Sequence, residues 1–332
     1  EKDAGVGSSF ATSEYEAAGA KICDTAKEVW ATVDMMVKVK EPLPEEYPLF
    51  KENLILYTYL HIAADRPQMD ALLQYKVKGV AYETLLERNH TLPLLAPMSQ
   101  IAGRLSIQEG AKYLEKPFGG SGMLLSGVPG TPKAKVVILG AGMVGTNACK
   151  IAVGMGAQVS IIDINLERLA YLDDIFGARI QTLYSTDAVI EKELASADLV
   201  VGSILIPGKA APKVGKAAYL KNMKPGSVIV DVAVDQGGCF ETTHVTYHDN
   251  PTYVVDGVVH YCVGNMPGAV PRTSTIALTN ATLKYGLQIA NKGACKENDV
   301  MYSAINTYGG KLTCKNVADS FNMEYVDPKT LM

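Results

Sequence analysis

The clearest pattern of apolar and polar positions lies between residues 135 and 163, KVVILGAGMVGTNACKIAVGMGAQVSIID. Val136, Val137, Ile138 and Leu139 form a short continuous apolar run, as expected of a strand buried on both faces of a parallel sheet. The residues after Gly140 predict a helix with Ala148, Ile151 and Ala152 on one side, followed by a second buried strand over 159–162. Similar alternation runs through the rest of the chain. Ahead of this stretch the pattern predicts helices over 25–33 and 69–75, and strands over 35–39, 54–60 and 78–82. A long helix then runs through Ala111 to Leu114, with Ser99 as its expected N-cap. Beyond residue 163, strands are expected at 180–183, 199–203, 227–234 and 253–255. A helix over 283–291, a hairpin-like stretch around Gly309 and Gly310, and a short helix over 317–321 complete the chain. Strands alternating with helices imply an α/β fold with doubly wound parallel sheets, whose ligand groups gather at the strands' carboxyl ends.

Gly140, Gly142 and Gly145 have G-x-G-x-x-G spacing, and Asp163 follows the last of them by eighteen residues at the end of the second strand. The glycines permit a tight turn, a close approach of bare backbone to a pyrophosphate, and packing of helix on strand. The helix N-terminus supplies unpaired N–H groups and partial positive charge for phosphate, and the acidic side chain suits a ribose diol. Strand, glycines, helix, strand and Asp come in the required order, so the stretch reads as a dinucleotide site. The competing reading is an ordinary βα turn with a surface aspartate. Asp163 repels a 2′-phosphate and so favours NAD over NADP; Arg168, five residues on, keeps the other cofactor open.

At 332 residues the chain exceeds the size at which one core stops growing, so two domains are expected. A net charge of −4 leaves no basic footprint for nucleic acid or an anionic membrane, which turns the search toward small molecules. Six scattered cysteines without a C-x-x-C pair fit reduced thiols in a cytoplasmic protein. No apolar run reaches membrane-spanning length, and the opening EKDAGVGSSF has neither a basic nor an apolar signal region.

Three ionisable residues stand at expected strand ends: Lys40, His61 and Asp235. Hydride transfer at a carbon bearing an amine or hydroxyl needs a neighbouring proton acceptor, and His61 has the reference pKa suited to it. A histidine bonded in the core or at a rim is the plain alternative. Lys40 suits a substrate carboxylate or carbonyl, or is a solvated lysine before Glu41-Pro42. Asp235 closes an aliphatic run interrupted only by Asp231, which is hard to explain as surface. His244 and His248 have i, i+4 spacing, yet the threonines around them and Asn250-Pro251 argue against a helix and against a zinc pair. Cys239 reads as a packed thiol, without an adjacent base. No metal site is expected.

The runs KVKEPLPEEY, LLAPMSQIAGR, VVILGAGMVGTNA, IIDINLERLAYLDD, SVIVDVAVDQGGCFE and VVHYCVGNMPGAVPRTSTIALTNATL resemble the alanine dehydrogenase family over essentially the whole chain. The resemblance implies reversible oxidative deamination of L-alanine to pyruvate and ammonia with NAD. It implies His61 as acid/base, Lys40 on the pyruvate oxygens, and Asp235 positioning water or ammonia. It places Met98 and Ser99 beside the nicotinamide, Asn265 and Met266 on its other side, and Asp163 and Ser185 on the adenosine portion, with Arg168 nearby. Two Rossmann-like domains follow from it, the nucleotide domain (94–271) inserted in a catalytic domain (1–93 and 272–332), with closure of the intervening cleft excluding water. It also implies a homohexamer. Members of this family open about 35 residues earlier, with a strand and an arginine for the substrate carboxylate, and loss of such a contact costs roughly 2–5 kcal/mol. The expectation is therefore either a fragment of a longer protein or, as the alternative function, an NAD(H)-binding protein with weakened catalysis. Smaller departures are Gly208-Lys209-Ala210, where Gly-Ala-Lys is usual, and Gly264, where alanine is usual.

Overall fold

A computed structural model describes residues 1–204, 210–293 and 299–331. Gly208, Lys209 and Cys295 lie outside the described residues. The chain forms two compact units, one of Glu1–Pro97 with Val270–Met332 and the other of Met98–Ala269.

In the first unit, β1 (Met35–Val37), β2 (Ile55–Thr58) and β3 (Lys78–Ala81) pair in parallel. The second unit supplies β4 (Lys135–Leu139), β5 (Gln158–Asp163), β6 (Ile180–Tyr184), β7 (Leu199–Gly202), β8 (Val228–Asp231), β9 (Thr252–Val255) and β10 (Val258–Tyr261). The first unit is completed by β11 (Ile305–Tyr308) and β12 (Lys311–Leu312), a hairpin running antiparallel along β3, for a sheet order of β1-β2-β3-β11-β12. The strands that alternate with helices, β1 to β3 here and β4 to β8 in the second unit, pair in parallel, as that alternation requires.

The core of the first unit gathers Trp30, Phe50, Leu54, Leu56, Leu60 and Met69 around its sheet. Tyr57 and Tyr59 each meet Tyr82 edge-on, at centroid distances of 4.5 and 5.0 Å, which fixes the ends of β2 and β3 against one another. The helix over the last part of this unit runs Pro271–Lys292, beginning well before the expected 283–291 because Pro271 at its first position is already set for helical φ.

The second unit has strand order β6-β5-β4-β7-β8-β10-β9, all parallel except β9 against β10. Strands β7, β8 and β10 are buried at every residue, whereas the edge strands β6 and β9 are partly exposed. Strand order reverses at β4, with β5 and β6 added on one side and β7 and β8 on the other, and such a switch point opens a crevice at the strands' carboxyl ends. The helix Ala96–Tyr113 crosses the helix Met143–Gly154 where Gly103 lies: a Cβ there would stand 2.2 Å from the Val144 carbonyl oxygen. Arg104 donates to the Asn147 side chain at 3.1 Å along the same contact.

Two sequence expectations are corrected. Ser99 is not an N-cap but lies inside the helix Ala96–Tyr113. The strand expected over 227–234 ends at Asp231, and Asp235 sits in a short 3-10 turn, Val234–Gln236. The buried Asp231 carboxylate accepts from the N–H groups of Ala233 and Cys239 and from Thr243 Oγ1, at 3.1, 2.7 and 2.8 Å, so the chain turns back around it instead of extending. Among the described residues no helix is long and apolar enough to cross a membrane.

Candidate active site

In the second unit the site is built at the carboxyl ends of β4 and β5. Gly140 has φ +104°, a conformation that side chains disfavour. Gly142 caps the helix Met143–Gly154, and the place its Cβ would occupy is open space. Gly145 is the tightest position, because a Cβ there would lie 1.8 Å from the Gly140 carbonyl oxygen. The three glycines thus turn the chain, leave room for a ligand and let helix meet strand, one task each.

Asp163 closes β5 and turns its carboxylate toward this loop. Oδ2 accepts the Ala141 N–H at 2.6 Å and Oδ1 that of Asn165 at 2.8 Å. Ser185, just past β6, donates its N–H to the Asp163 carbonyl at 3.0 Å. Arg168 does not stand free to meet a 2′-phosphate. Its Nε and Nη2 both donate to the Ala141 carbonyl at 3.2 Å, Nη2 also reaches Thr146 Oγ1 at 3.0 Å, and the guanidinium lies 4.8 Å from the Tyr171 ring centroid. Gln100, Thr146, Asn147, Lys150, Arg168 and Tyr171 line a cavity of about 280 Å³ beside Gly142.

Asp235 is exposed, and its Oδ2 accepts the N–H of Asn265, a residue held at φ +54°. Met266 follows it, buried in the short helix Met266–Ala269. Asp235, Asn265 and Met266 therefore form one local group. At Gly264 a Cβ would come within 2.7 Å of Asp235 Oδ1, so the glycine leaves that carboxylate its position. Ser99 is half-buried in its helix.

In the first unit Lys40 and His61 come together through a residue that strand-end reasoning passed over. Glu41 Oε2 lies 2.9 Å from His61 Nδ1, and its Oε1 lies 3.2 Å from Lys40 Nζ. Beyond β3, Glu83 accepts the main-chain N–H of His61 at 2.7 Å and that of Leu60 at 3.1 Å, which holds His61 at φ 48°. The His61 ring stacks on that of Tyr59, 5.8 Å away and tilted 11°. The His61 ring is half exposed and Glu41 partly buried, and the partial loss of water opposes charge on both. The bond to Glu41 and the Glu83 charge nevertheless raise the His61 pKa, and the same bond, with the charges of His61 and Lys40, holds Glu41 down at about 2. A clamp sets the loop that carries Lys40 and Glu41: the Glu46 carboxylate accepts from Lys38 Nζ (2.7 and 2.5 Å), the Leu43 N–H (2.7 Å) and Trp30 Nε1 (3.1 Å).

Glu41 and Glu83 are the residues that sequence reasoning missed. Glu83 obeys the rule that picked out Lys40 and His61, an ionisable residue just past a parallel strand, and was legible on that ground. The role of Glu41 shows only in three dimensions. Neither His244 nor His248 lies in a helix; His248 is in a turn and His244 stacks on Tyr253 at 3.9 Å, and among the described residues no cluster of ligands suits a metal ion. Cys239 is buried and its thiol pKa is pushed up, chiefly by burial, as befits a packed thiol.

Comparison with known proteins places these features. Residues 1–102 match the family model of the alanine dehydrogenase/PNT N-terminal domain, and residues 106–315 that of the C-terminal domain. The chain is 57% identical over 329 residues to an alanine dehydrogenase of Methanococcus maripaludis, and 54% identical to alanine dehydrogenase 2 of Staphylococcus aureus. Each alignment spans 98% of this chain and 88% of the relative. A solved L-alanine dehydrogenase superposes with a TM-score of 0.93 at 52% identity, covering 97% of this chain and 89% of that one. A transhydrogenase of Sinorhizobium meliloti shares the fold at 23% identity, with a TM-score of 0.82 over 94% of this chain and 90% of the other.

Proposed function

We propose a function from the premise the comparisons supply: this chain belongs to the alanine dehydrogenase/PNT family. It is an oxidoreductase acting on a CH–NH₂ group, and its reaction is the reversible oxidative deamination of L-alanine to pyruvate and ammonia, with water consumed and NAD reduced. NAD suits the donor set: open space at Gly142 admits a phosphate, the first N–H groups of the helix Met143–Gly154 lack intrahelical partners, and Asp163 presents a carboxylate where a ribose diol belongs. With Arg168 engaged by Ala141 and Thr146, the 2′-phosphate of NADP would meet an aspartate without a free arginine beside it. NAD, when bound, would supply the acceptor for the hydride of the alanine Cα. Ser99, Asn265 and Met266 are assigned to that ring, and Ser185 to the adenosine portion.

The protein's own groups then manage charge and protons. Lys40 binds the substrate carboxylate and stabilises negative charge as the carbonyl forms. His61 takes a proton from the amine as hydride leaves and releases it to solvent; after water has added to the iminium carbon, it takes the hydroxyl proton of the carbinolamine as that collapses to ketone and ammonia, and in the reverse direction it returns both protons in turn. Asp235 orients the incoming water or departing ammonia. The observation that carries this reading is the juncture of Lys40, Glu41 and His61 at the carboxyl ends of β1 and β2, an anion-binding cation beside a histidine with a carboxylate partner. Alanine-dependent NAD reduction by the purified protein, followed by NADH absorbance, is the test. Absence of reduction in a preparation that binds NADH defeats the catalytic assignment and leaves only nucleotide capture.

A further inference from the structure

We propose that Glu41 is a positioning residue that fixes the tautomer of His61, keeping the hydrogen on Nδ1 and leaving Nε2 as the nitrogen that exchanges protons with substrate. The proposal rests on the catalytic reading of His61 above and deepens it.

The imidazole is held from three directions. Its main-chain N–H is tied to Glu83, its face lies on the Tyr59 ring, and Nδ1 meets Glu41 at 2.9 Å. Tyr59 is itself fixed, buried and donating its hydroxyl to the Leu94 carbonyl at 2.5 Å. Glu83 spends its oxygens on the main-chain N–H groups of Leu60 and His61. Glu41 is thus the carboxylate bonded to the ring. Lys40 faces the pair from the same loop, and Asp65, just beyond His61 in the chain, is partnered by the Tyr47 hydroxyl at 3.4 Å.

An ionised carboxylate can only accept a hydrogen bond, and a neutral imidazole carries one N–H. With Glu41 ionised throughout the neutral range, Nδ1 must be the donor and the Nε2 lone pair is left free. The same contact favours the protonated ring and raises the His61 pKa, although burial and Lys40 oppose it. The geometry thus leaves one ring nitrogen to take and return a proton while the other is held.

The test uses the full chain labelled with ¹⁵N-histidine, His61 being assigned among the five histidines by its loss in His61→Ala. The neutral wild-type ring is expected to show the Nδ1–H tautomer. In Glu41→Gln the amide can donate as well as accept, so the tautomers mix and the His61 titration moves to lower pH. The acid limb of kcat/KM for alanine moves the same way. The kcat falls about 10- to 100-fold, part of the ~10²–10⁴ that an acid/base group supplies, and Glu41→Asp recovers much of it. NADH affinity stays at the wild-type value. An Nε2–H tautomer in the wild type overturns the proposal, as does an unmoved His61 titration in Glu41→Gln. So does a variant with unchanged kcat and a lower KM for alanine, which would make Glu41 a mere competitor for Lys40. Because the tautomer is read without turnover, it decides the role of Glu41 even if the wild type oxidises no alanine.

Discussion

Replacing Gly145 by alanine places a methyl carbon 1.8 Å from the Gly140 carbonyl oxygen and 2.9 Å from Ser203 Oγ. The serine can rotate; the carbonyl belongs to the turn itself. Reaching an ordinary carbon–oxygen separation of about 3.3 Å requires helix and turn to part by roughly 1.5 Å. Overpacking of this kind costs about 1–3 kcal/mol of stability. A displacement above an ångström in the phosphate cradle weakens NADH on the order of 100-fold, about 2.7 kcal/mol. Gly142→Ala separates the two contributions, since its Cβ meets nothing within 4 Å and its φ of −71° suits alanine. That variant keeps its urea midpoint and loses NADH affinity, because the methyl stands where the phosphate must approach. Fluorescence titration with NADH and urea unfolding, run on both variants, read the two effects. Wild-type affinity and midpoint in Gly145→Ala, or equal destabilisation of both variants, would refute the assignment of one glycine to packing and one to ligand.

His61→Ala should lower alanine turnover about 10²-fold or more while NADH binding in the other unit is unaffected; undiminished steady-state turnover removes His61 from proton transfer. Asp163→Ala loses a ribose bond and the Ala141 N–H that it anchors, so NAD affinity should fall about 10- to 100-fold and discrimination against NADP should relax. Wild-type protein that already prefers NADP in a coenzyme titration contradicts that view. Acid should loosen the Lys38–Glu46 loop: Glu41 and Glu46 have depressed pKa values despite burial, so the stability they contribute is complete above their ordinary value of 4.5 and is lost as pH falls below it, for Glu41 toward about 2. Trp30, the chain's one tryptophan and a donor to Glu46, should report this as a fluorescence change below pH 4.5, and a signal that stays flat through acid unfolding argues against the clamp.

The dinucleotide half was legible because its determinants are local: an apolar run, three glycines, a helix and an aspartate within 29 residues. Steric demands of a turn are written in adjacent positions. The Asp231–Asp235 stretch misled because VIVDVAV has the composition of a strand to its end, whereas a buried carboxylate at its fourth residue collects N–H groups from a loop up to eight residues ahead. Propensity sees the valines and not that network. Ser99 misled for a related reason: a serine before an apolar stretch fits a cap, but the helix had already started at Ala96. Lys40 and His61 were found by their places past parallel strands, yet Glu41, which joins them, is twenty residues from His61 in the chain and has no pattern of its own.

His61 occupies a left-handed backbone conformation that glycine or asparagine would adopt more readily. Glu83 holds it there by taking two successive main-chain amides. What keeps an imidazole at this corner is therefore its ring, against the preference of its own peptide unit. Residue 61 is a place where a chain optimised only for folding would carry a different amino acid, and the carboxylate just past the neighbouring strand is what lets the histidine remain.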